Sequence, residues 1–228
     1  MGLSVFDITK LAVGPARVLY APTSVAIPTK LQDIIKLTEA DDYTPVTGWE
    51  DFGAAPEGDG ASYSRGFETE ALGIEQSNGA IFNDITDANR SISLNVAEIS
   101  PENMKIVEGT DIAVETIAAT AEAAGQDSVP IGSVSEFPEY RIVLIGQRKL
   151  SSGAVIEPDG TERGRLVAVV LNRVSISADD SEVEVTKGNL MSAPLQFEGF
   201  PEPGQPAKKA YGRWLFENSA DLASGSGS

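Results

Sequence analysis

The feature that most constrains the fold is a series of short apolar stretches in the C-terminal half of the chain. Residues 140–146 form an apolar run, and residues 165–177 form a longer run that ends in alternation. Residues 183–186 and 190–200 follow after brief turns rich in Asp, Ser and Gly. Runs of this length separated by turn residues are typical of β-strands. The spacing predicts an antiparallel meander over residues 165–200.

Strand signals also occur earlier in the chain. Residues 17–20 predict a short strand after a Gly-Pro pair. Ile92, Leu94 and Val96 alternate with polar residues, so they are expected to share one buried face of a strand. Ser-Asn-Gly at residues 77–79 predicts a hairpin turn.

One short α-helix is predicted at about residues 101–108. Ser100 suits the N-cap position, the next residue is a proline suited to the first helical turn, and Gly109 suits the exit. Met104 and Val107 lie three residues apart and are expected to point the same way.

These signals, together with 22 Gly and 13 Pro, predict a mainly β protein. We expect an antiparallel β-sandwich or barrel with one short flanking helix and extended loop and terminal arms. Residues 1–200 are expected to form a single β domain, and residues 201–228, which open with a Pro-rich linker, a C-terminal extension. The acidic, Gly-rich segment at about 38–62 is expected to be a mobile loop that orders against a neighbouring subunit. Residues 110–135 fit either a strand plus a loop or a weak helix.

Residue types needed for most enzyme chemistry are missing. The chain has no Cys and no His. This excludes disulfides, thiolate nucleophiles, imidazole bases and Cys/His zinc sites, and with them Ser-His-Asp hydrolases and Cys proteases. The sequence also has no phosphate-loop motif. We therefore expect a non-enzymatic protein with no catalytic residues and no cofactor.

The 34 acidic residues leave carboxylate chemistry open. A two-carboxylate glycosidase is formally allowed, but no recognisable catalytic spacing occurs. Acidic stretches at residues 41–42 and 179–182 contain the oxygen ligands that Ca²⁺ prefers. Neither matches an EF-hand loop, and turns favour Asp and Ser. We expect solvated carboxylates and plain turns rather than a metal site.

The chain is strongly acidic, with a net charge of −17. A surface of this sign repels nucleic-acid backbones, since affinity for them depends on Lys and Arg. Residues 1–7 have neither the basic region nor the apolar region of a signal peptide. No stretch approaches the ~18 apolar residues of a membrane span, so we expect no membrane association.

Scattered motifs across most of the chain resemble those of one protein family. They are Gly48-Trp49-Glu50-Asp51-Phe52-Gly53, residues 62–70, Ile74-Glu75-Gln76-Ser77-Asn78-Gly79, and Ala97-Glu98 followed by Pro101-Glu102-Asn103 and a helix to Gly109. Residues 18–28 and 187–199 add to the likeness. This order resembles the major tail tube proteins of long-tailed bacteriophages. Residues 110–135 have no counterpart in the resemblance.

The resemblance implies a structural virion protein that assembles into stacked hexameric rings. Inner strands of the ring subunits would join into a continuous barrel, through which DNA passes without specific binding. The implied partners are other copies of the chain, the tape measure protein, the tail terminator and the baseplate or tip proteins. The implied location is the virion tail, assembled in the host cytoplasm. For the contacts between subunits, the candidate residues are Trp49, Phe52, Trp214 and Phe216.

Two other classes of function stay open. One is a different virion β-domain, such as a head-decoration protein or a carbohydrate-binding module, which requires an exposed aromatic platform. The other is the carboxylate-dependent hydrolase.

Overall fold

The structure is a computed structural model. It describes residues 17–37, 44–53, 60–72, 82–98, 100–109, 112–131, 137–147, 154–156, 162–177 and 192–217.

Twelve β-strands occur in this described part of the chain. They are β1 (Arg17–Pro22), β2 (Glu50–Asp51), β3 (Ser62–Leu72), β4 (Phe82–Val96), β5 (Glu115–Ile117), β6 (Gln126–Ser128), β7 (Glu139–Gln147), β8 (Ala154–Ile156), β9 (Glu162–Gly164), β10 (Leu166–Ile176), β11 (Ala193–Gly199) and β12 (Gly212–Phe216). Eight of them form one antiparallel sheet in the order β2-β1-β7-β10-β11-β4-β3, with β12 also paired to β10. Two separate hairpins, β5–β6 and β8–β9, complete the set.

The mainly β fold with one short helix is confirmed, and so are several individual strands. β7, β10 and β11 occupy the apolar runs from which strands were predicted. β10 pairs with β11 only over its last residues, because β12 occupies the same edge nearer the start of β10. The strand predicted at 183–186 and the turn at 77–79 lie outside the described residues. β3 and β4, on either side of that turn, pair as an antiparallel hairpin.

The first of two buried clusters lies inside the curved sheet. Ile92, Leu94 and Val96 alternate into it as predicted, together with apolar residues of β1, β7, β10 and β11. The Phe52 ring lies 5.7 Å from the ring of Phe197 on β11 and also contacts β1. Two strands that are not neighbours in the sheet therefore pack on one aromatic ring, and the sheet folds over its core as in a sandwich.

The second cluster covers the opposite face of β1, β7 and β10. Alternate residues of these strands point to it, so the central strands are buried on both faces, which is why they appear as continuous apolar runs. A strap made of residues 31–37 and 44–49 lies over this face and contributes Ile34, Ile35 and Trp49.

The strap corrects the expectation that residues 38–62 form one mobile loop. Residues 44–53 are held within the subunit: the Val46 N–H donates to the Ile34 carbonyl at 2.8 Å, and β2 pairs with β1. The prediction relied on the acidic composition of the segment, whereas its apolar residues Trp49 and Phe52 pack in the core. Residues 38–43 and 54–59 lie outside the described residues.

The helix α1 (Pro101–Val107) begins as predicted. The Ser100 side chain accepts a hydrogen bond from the Asn103 N–H at 3.1 Å, and Gly109 follows the helix with φ of 62°. The buried face carries Asn103 and Ile106, with Val107 only partly buried beside it. The side chain of Asn103 donates to the backbone carbonyls of Phe52 and Glu98, and these hydrogen bonds offset the cost of burying its amide.

The C-terminal extension predicted from residue 201 returns to the sheet in its described part. The chain turns back after the Pro-rich linker, and β12 pairs with β10 from Val167↔Phe216 to Leu171↔Gly212. Gly212 makes this return possible, since a Cβ there would lie 1.9 Å from the carbonyl oxygen of Val170. The β domain therefore continues to at least residue 217, and residues 218–228 lie outside the described residues.

Residues 110–135, for which the sequence left two readings, contain a strand hairpin. β5 and β6 pair from Glu115↔Ser128 to Ile117↔Gln126. No helix among the described residues is long and apolar enough to cross a membrane.

Candidate subunit interface

A buried arginine anchors the segment that leads into β12. Arg141 on β7 is 4% exposed. Its guanidinium donates to the carbonyl oxygens of Val25 at 2.6 Å, Thr23 at 2.8 Å and Asn172, and pairs with the Glu202 carboxylate at 3.1 Å. A buried charge is tolerated only when it is paired and hydrogen-bonded. This network therefore fixes the start of the returning chain against the sheet.

A buried asparagine continues the anchoring. Asn172 on β10 is completely buried, and its side-chain amide donates to the carbonyls of Lys209 at 3.0 Å and Ala210 at 3.3 Å. Its backbone N–H donates to the Tyr211 carbonyl at 2.9 Å. These bonds set the position at which β12 begins, and with it the side chains that β12 presents.

β12 presents two exposed aromatic rings. Trp214 is 52% exposed and Phe216 is 58% exposed, while Leu215 between them packs on the second core cluster. The two exposed rings are nearly parallel, with centroids 6.0 Å apart, and Tyr63 on β3 meets Trp214 edge-on at 5.7 Å. Trp214 and Phe216 are thus accessible to another molecule, and their role at a subunit interface stays a prediction.

A groove of about 600 Å³ separates β12 from β3 and β4. We call it the aromatic groove; its lining includes Tyr63, Arg65, Arg90, Lys208, Arg213 and Trp214 and contains no acidic residue. Arg65 and Arg90 stand directly opposite each other in the strand register. In the described part of the chain no carboxylate pairs with any of these four cations. Among the residues that the structure describes, this acidic protein therefore has a surface on which cations cluster without an acidic partner.

Phe67 joins the face of β3 that borders this groove. It is 48% exposed, and the Arg90 guanidinium lies 4.8 Å from its ring centroid. This face was not predicted from the sequence, although Tyr63, Arg65 and Phe67 alternate and must share one side of a strand. That alternation of aromatic and cationic residues was the available signal.

Trp49 and Phe52, two of the four residues expected at a subunit interface, are buried within the subunit. Trp49 is 5% exposed in the second core cluster, and Phe52 is 1% exposed in the first. Their side chains complete the core on the two faces of β1, so they are not available to a neighbouring subunit. This corrects the expectation for these two residues.

A buried tyrosine ties β2 to the sheet. The Tyr20 hydroxyl donates a hydrogen bond of 2.5 Å to the Glu50 carboxylate. Burial, together with this hydrogen bond, raises the pKa of Tyr20 well above its usual range. The neutral tyrosine is therefore the form that the fold requires.

The β3–β4 hairpin extends beyond the rest of the sheet. β11 pairs with β4 only from Val96 back to Ser91, whereas β3 pairs with β4 as far as Leu72↔Phe82. At ~3.3 Å per residue, residues 82–90 carry the hairpin about 30 Å past the end of β11. Over this length the described residues provide β4 with no strand neighbour except β3, and β3 is itself the edge of the sheet.

Within the described residues, no group of three or more acidic side chains is arranged to hold a metal ion. The acidic stretches at 41–42 and 179–182 lie outside that part of the chain. No protein-family model matches the sequence, and no curated protein is significantly similar to it.

Proposed function

We propose that this chain is a non-enzymatic structural subunit that assembles with itself into stacked hexameric rings, forming the tail tube of a long-tailed bacteriophage. The observation that carries the proposal is the projecting β3–β4 hairpin. The family resemblance alone supports the protein's location in the virion tail and its proposed partners, which are the tape measure, terminator and baseplate or tip proteins.

The hairpin supports self-assembly because exposed strand edges are usually covered. An edge strand presents backbone N–H and C=O groups that pair readily with another chain, and proteins shorten, bend or cover such edges. Here an eleven-residue strand, β3, is the edge strand of the projecting hairpin. Hairpins of neighbouring subunits placed edge to edge would pair and close a barrel, which removes every edge.

The charges of the hairpin suit the lining of a channel for DNA. In the register of its outer half, Glu68 stands opposite Asp87 and Glu70 opposite Asp84. Both pairs are acidic, so the register brings four acidic positions together in the outer half of the hairpin. In the barrel of a ring it would line the channel with carboxylates, over which a DNA backbone passes without stable binding.

Hydrogen exchange tests the pairing of hairpins. The backbone amides of β3 should exchange quickly in dilute protein and become protected when the protein is concentrated to the point of assembly. The amides of β7, which is already central in the sheet, serve as the internal control and should stay protected in both states. Equal exchange of β3 before and after assembly would contradict hairpin pairing.

DNA retention tests the channel charge. Tubes of the wild-type protein should not retain short double-stranded DNA at physiological salt. Tubes carrying Lys in place of Glu68, Glu70, Asp84 and Asp87 should retain it. Equal retention by both tubes would contradict an acidic lining.

One observation favours a second candidate, a carbohydrate-binding virion domain. The nearly parallel, exposed rings of Trp214 and Phe216 are the kind of aromatic platform that such a module requires. Under this alternative the protein stays monomeric at high concentration, and its tryptophan fluorescence responds to a glycan but not to protein concentration.

A further inference from the structure

The β5–β6 hairpin forms an exposed arm, which we define as residues 112–131. Its two strands pair with each other and belong to no larger sheet in the described part of the chain. It exposes large apolar side chains, with Ile117 at 56% and Ile131 at 81%. Apolar side chains left this exposed on one hairpin make it a candidate docking surface.

The arm carries charge of one sign. Its acidic residues are Glu115, Glu122 and Asp127, and residues 112–131 include no Lys or Arg. The arm is therefore both apolar and acidic, and it complements the aromatic groove, whose lining is aromatic and cationic.

The tip of the arm is a defined turn. The Thr120 hydroxyl accepts from the Ala123 N–H at 3.1 Å, and the Thr120 N–H donates to the Ala123 carbonyl at 2.9 Å. At the base, the Thr116 hydroxyl donates to the Asp127 carboxylate at 2.9 Å. An isolated two-stranded hairpin has marginal stability in water, so docking against a partner would stabilise this conformation.

The groove lacks what the arm supplies. Arg90 lies between two rings, 4.8 Å from the centroid of Phe67 and 5.5 Å from that of Tyr211, and has no acidic partner among the described residues. Its neighbours Arg65 and Lys208 are exposed cations. The groove thus offers apolar rings for isoleucine side chains and unpaired cations for carboxylates.

We propose that the arm of one copy of this chain docks in the aromatic groove of the next copy. The inference rests on the proposed self-assembly and names the surfaces that produce it. Two different surfaces meet in such a contact, so each copy keeps one free arm and one free groove. Head-to-tail contacts of this kind close into a ring when the rotation between copies permits.

A second copy fits the groove better than a nucleic acid does. Each copy of the chain carries a charge of −17, so the long-range field repels a nucleic acid and a second copy alike, and the groove cations act only at short distance. At that distance the apolar side of the groove decides between them, because a nucleic-acid backbone brings charge alone. The arm brings a small number of carboxylates together with apolar surface, which matches both properties of the groove.

Two charge-reversal variants test the contact. Glu115→Lys with Glu122→Lys reverses the arm, and Arg65→Glu with Lys208→Glu reverses the groove. All four side chains are exposed. Like charges then meet, so each variant alone should need a protein concentration higher by roughly tenfold or more to assemble. Lys36→Glu, an exposed cation outside the groove, is the matched control and should assemble like the wild type.

An equimolar mixture of the two variants should assemble like the wild type. In an alternating assembly each reversed arm meets a reversed groove, and each normal arm meets a normal groove. Recovery in the mixture also shows that both variants are folded. Light scattering over a concentration series, with electron microscopy of the products, measures all of these states.

Several outcomes would overturn the inference. If both variants assemble at the wild-type concentration, the arm does not dock in the groove, while the proposed self-assembly stands. If the equimolar mixture does not assemble at the wild-type concentration, the arm likewise does not dock in the groove. If the wild type itself stays monomeric, the proposed function fails and this inference fails with it. Unchanged assembly, combined with loss of single-stranded DNA binding in the groove variant, would assign the groove to nucleic acid instead.

Discussion

Replacing the buried arginine of β7 should strongly destabilise the subunit. Arg141→Met keeps most of the side-chain volume but removes every hydrogen bond of the guanidinium. It leaves the Glu202 carboxylate without its cation and the carbonyls of Thr23, Val25 and Asn172 without this donor. Removing one partner of a buried ion pair typically costs about 3–5 kcal/mol.

The lower end of that range applies, because the Glu202 side chain is 17% exposed and partly reaches water. We therefore expect a loss of about 3 kcal/mol in the free energy of unfolding, which corresponds to roughly 6–12 °C in melting temperature for a chain of this size. Urea unfolding followed by tryptophan fluorescence measures it, with all variants compared at one low protein concentration, since assembly would add apparent stability.

A variant of Glu202 separates the free energy lost with the ion pair from the free energy lost with the packing of Arg141. Glu202→Gln retains a hydrogen-bond acceptor for Arg141, and three backbone carbonyls still accept from the guanidinium. It should therefore cost less than Arg141→Met, about 1.5–3 kcal/mol, which is the range for a hydrogen bond to a charged group. The double variant, Arg141→Met with Glu202→Gln, should be more stable than Arg141→Met alone, because no unpaired carboxylate remains. An Arg141→Met protein within about 0.5 kcal/mol of the wild type, the range of ordinary surface changes, would refute this reasoning.

Three further predictions concern the elements around the candidate interface. Asn103→Ala removes the side chain that donates to the Phe52 carbonyl, so we expect a loss of about 1–3 kcal/mol in urea unfolding; a loss no larger than the ~1 kcal/mol of a helix-cap change would contradict it. Gly212→Ala puts a Cβ 1.9 Å from the Val170 carbonyl oxygen and should release β12, seen as faster amide exchange of residues 212–216; unchanged protection would be the contrary result. The pKa of Tyr20 is raised in the fold, so its stabilising effect is complete below the unfolded pKa of ~10 and is lost as pH rises above that value. Tyr20→Phe cannot ionise and should therefore lose less stability than the wild type between neutral pH and pH ~11; equal losses would count against the buried neutral tyrosine.

The central strands could be predicted from the sequence because burial on both faces leaves a continuous apolar run. β10 shows this most clearly, with Leu166 to Leu171 all buried. The start of α1 was equally readable, since the Ser100 cap, the following proline and Gly109 act locally. These signals depend only on residues close together in the chain.

What the sequence did not reveal depends on contacts between distant residues. Phe52 is buried because it meets Phe197, and an acidic neighbourhood gave no indication of that contact. The Pro-rich linker after residue 200 suggested that the chain leaves the domain, whereas Arg141 and Asn172 hold it in place from far away in the sequence.

At the candidate interface, too, local features could be predicted from the sequence and contacts between distant residues could not. The alternation of Tyr63, Arg65 and Phe67 places them on one face of a strand, which the sequence alone could have shown. That this face meets Trp214 across a groove follows from the curvature of the sheet and the return of β12. The unpaired cations of the groove became visible only when the surrounding residues were placed.

Electron microscopy of the purified wild-type protein over a series of concentrations shows whether the chain assembles with itself into rings. We expect rings, and at higher concentration tubes of stacked rings, with six subunits in each ring. Images that show only dispersed single subunits at every concentration, with light scattering giving the mass of one chain, would contradict it.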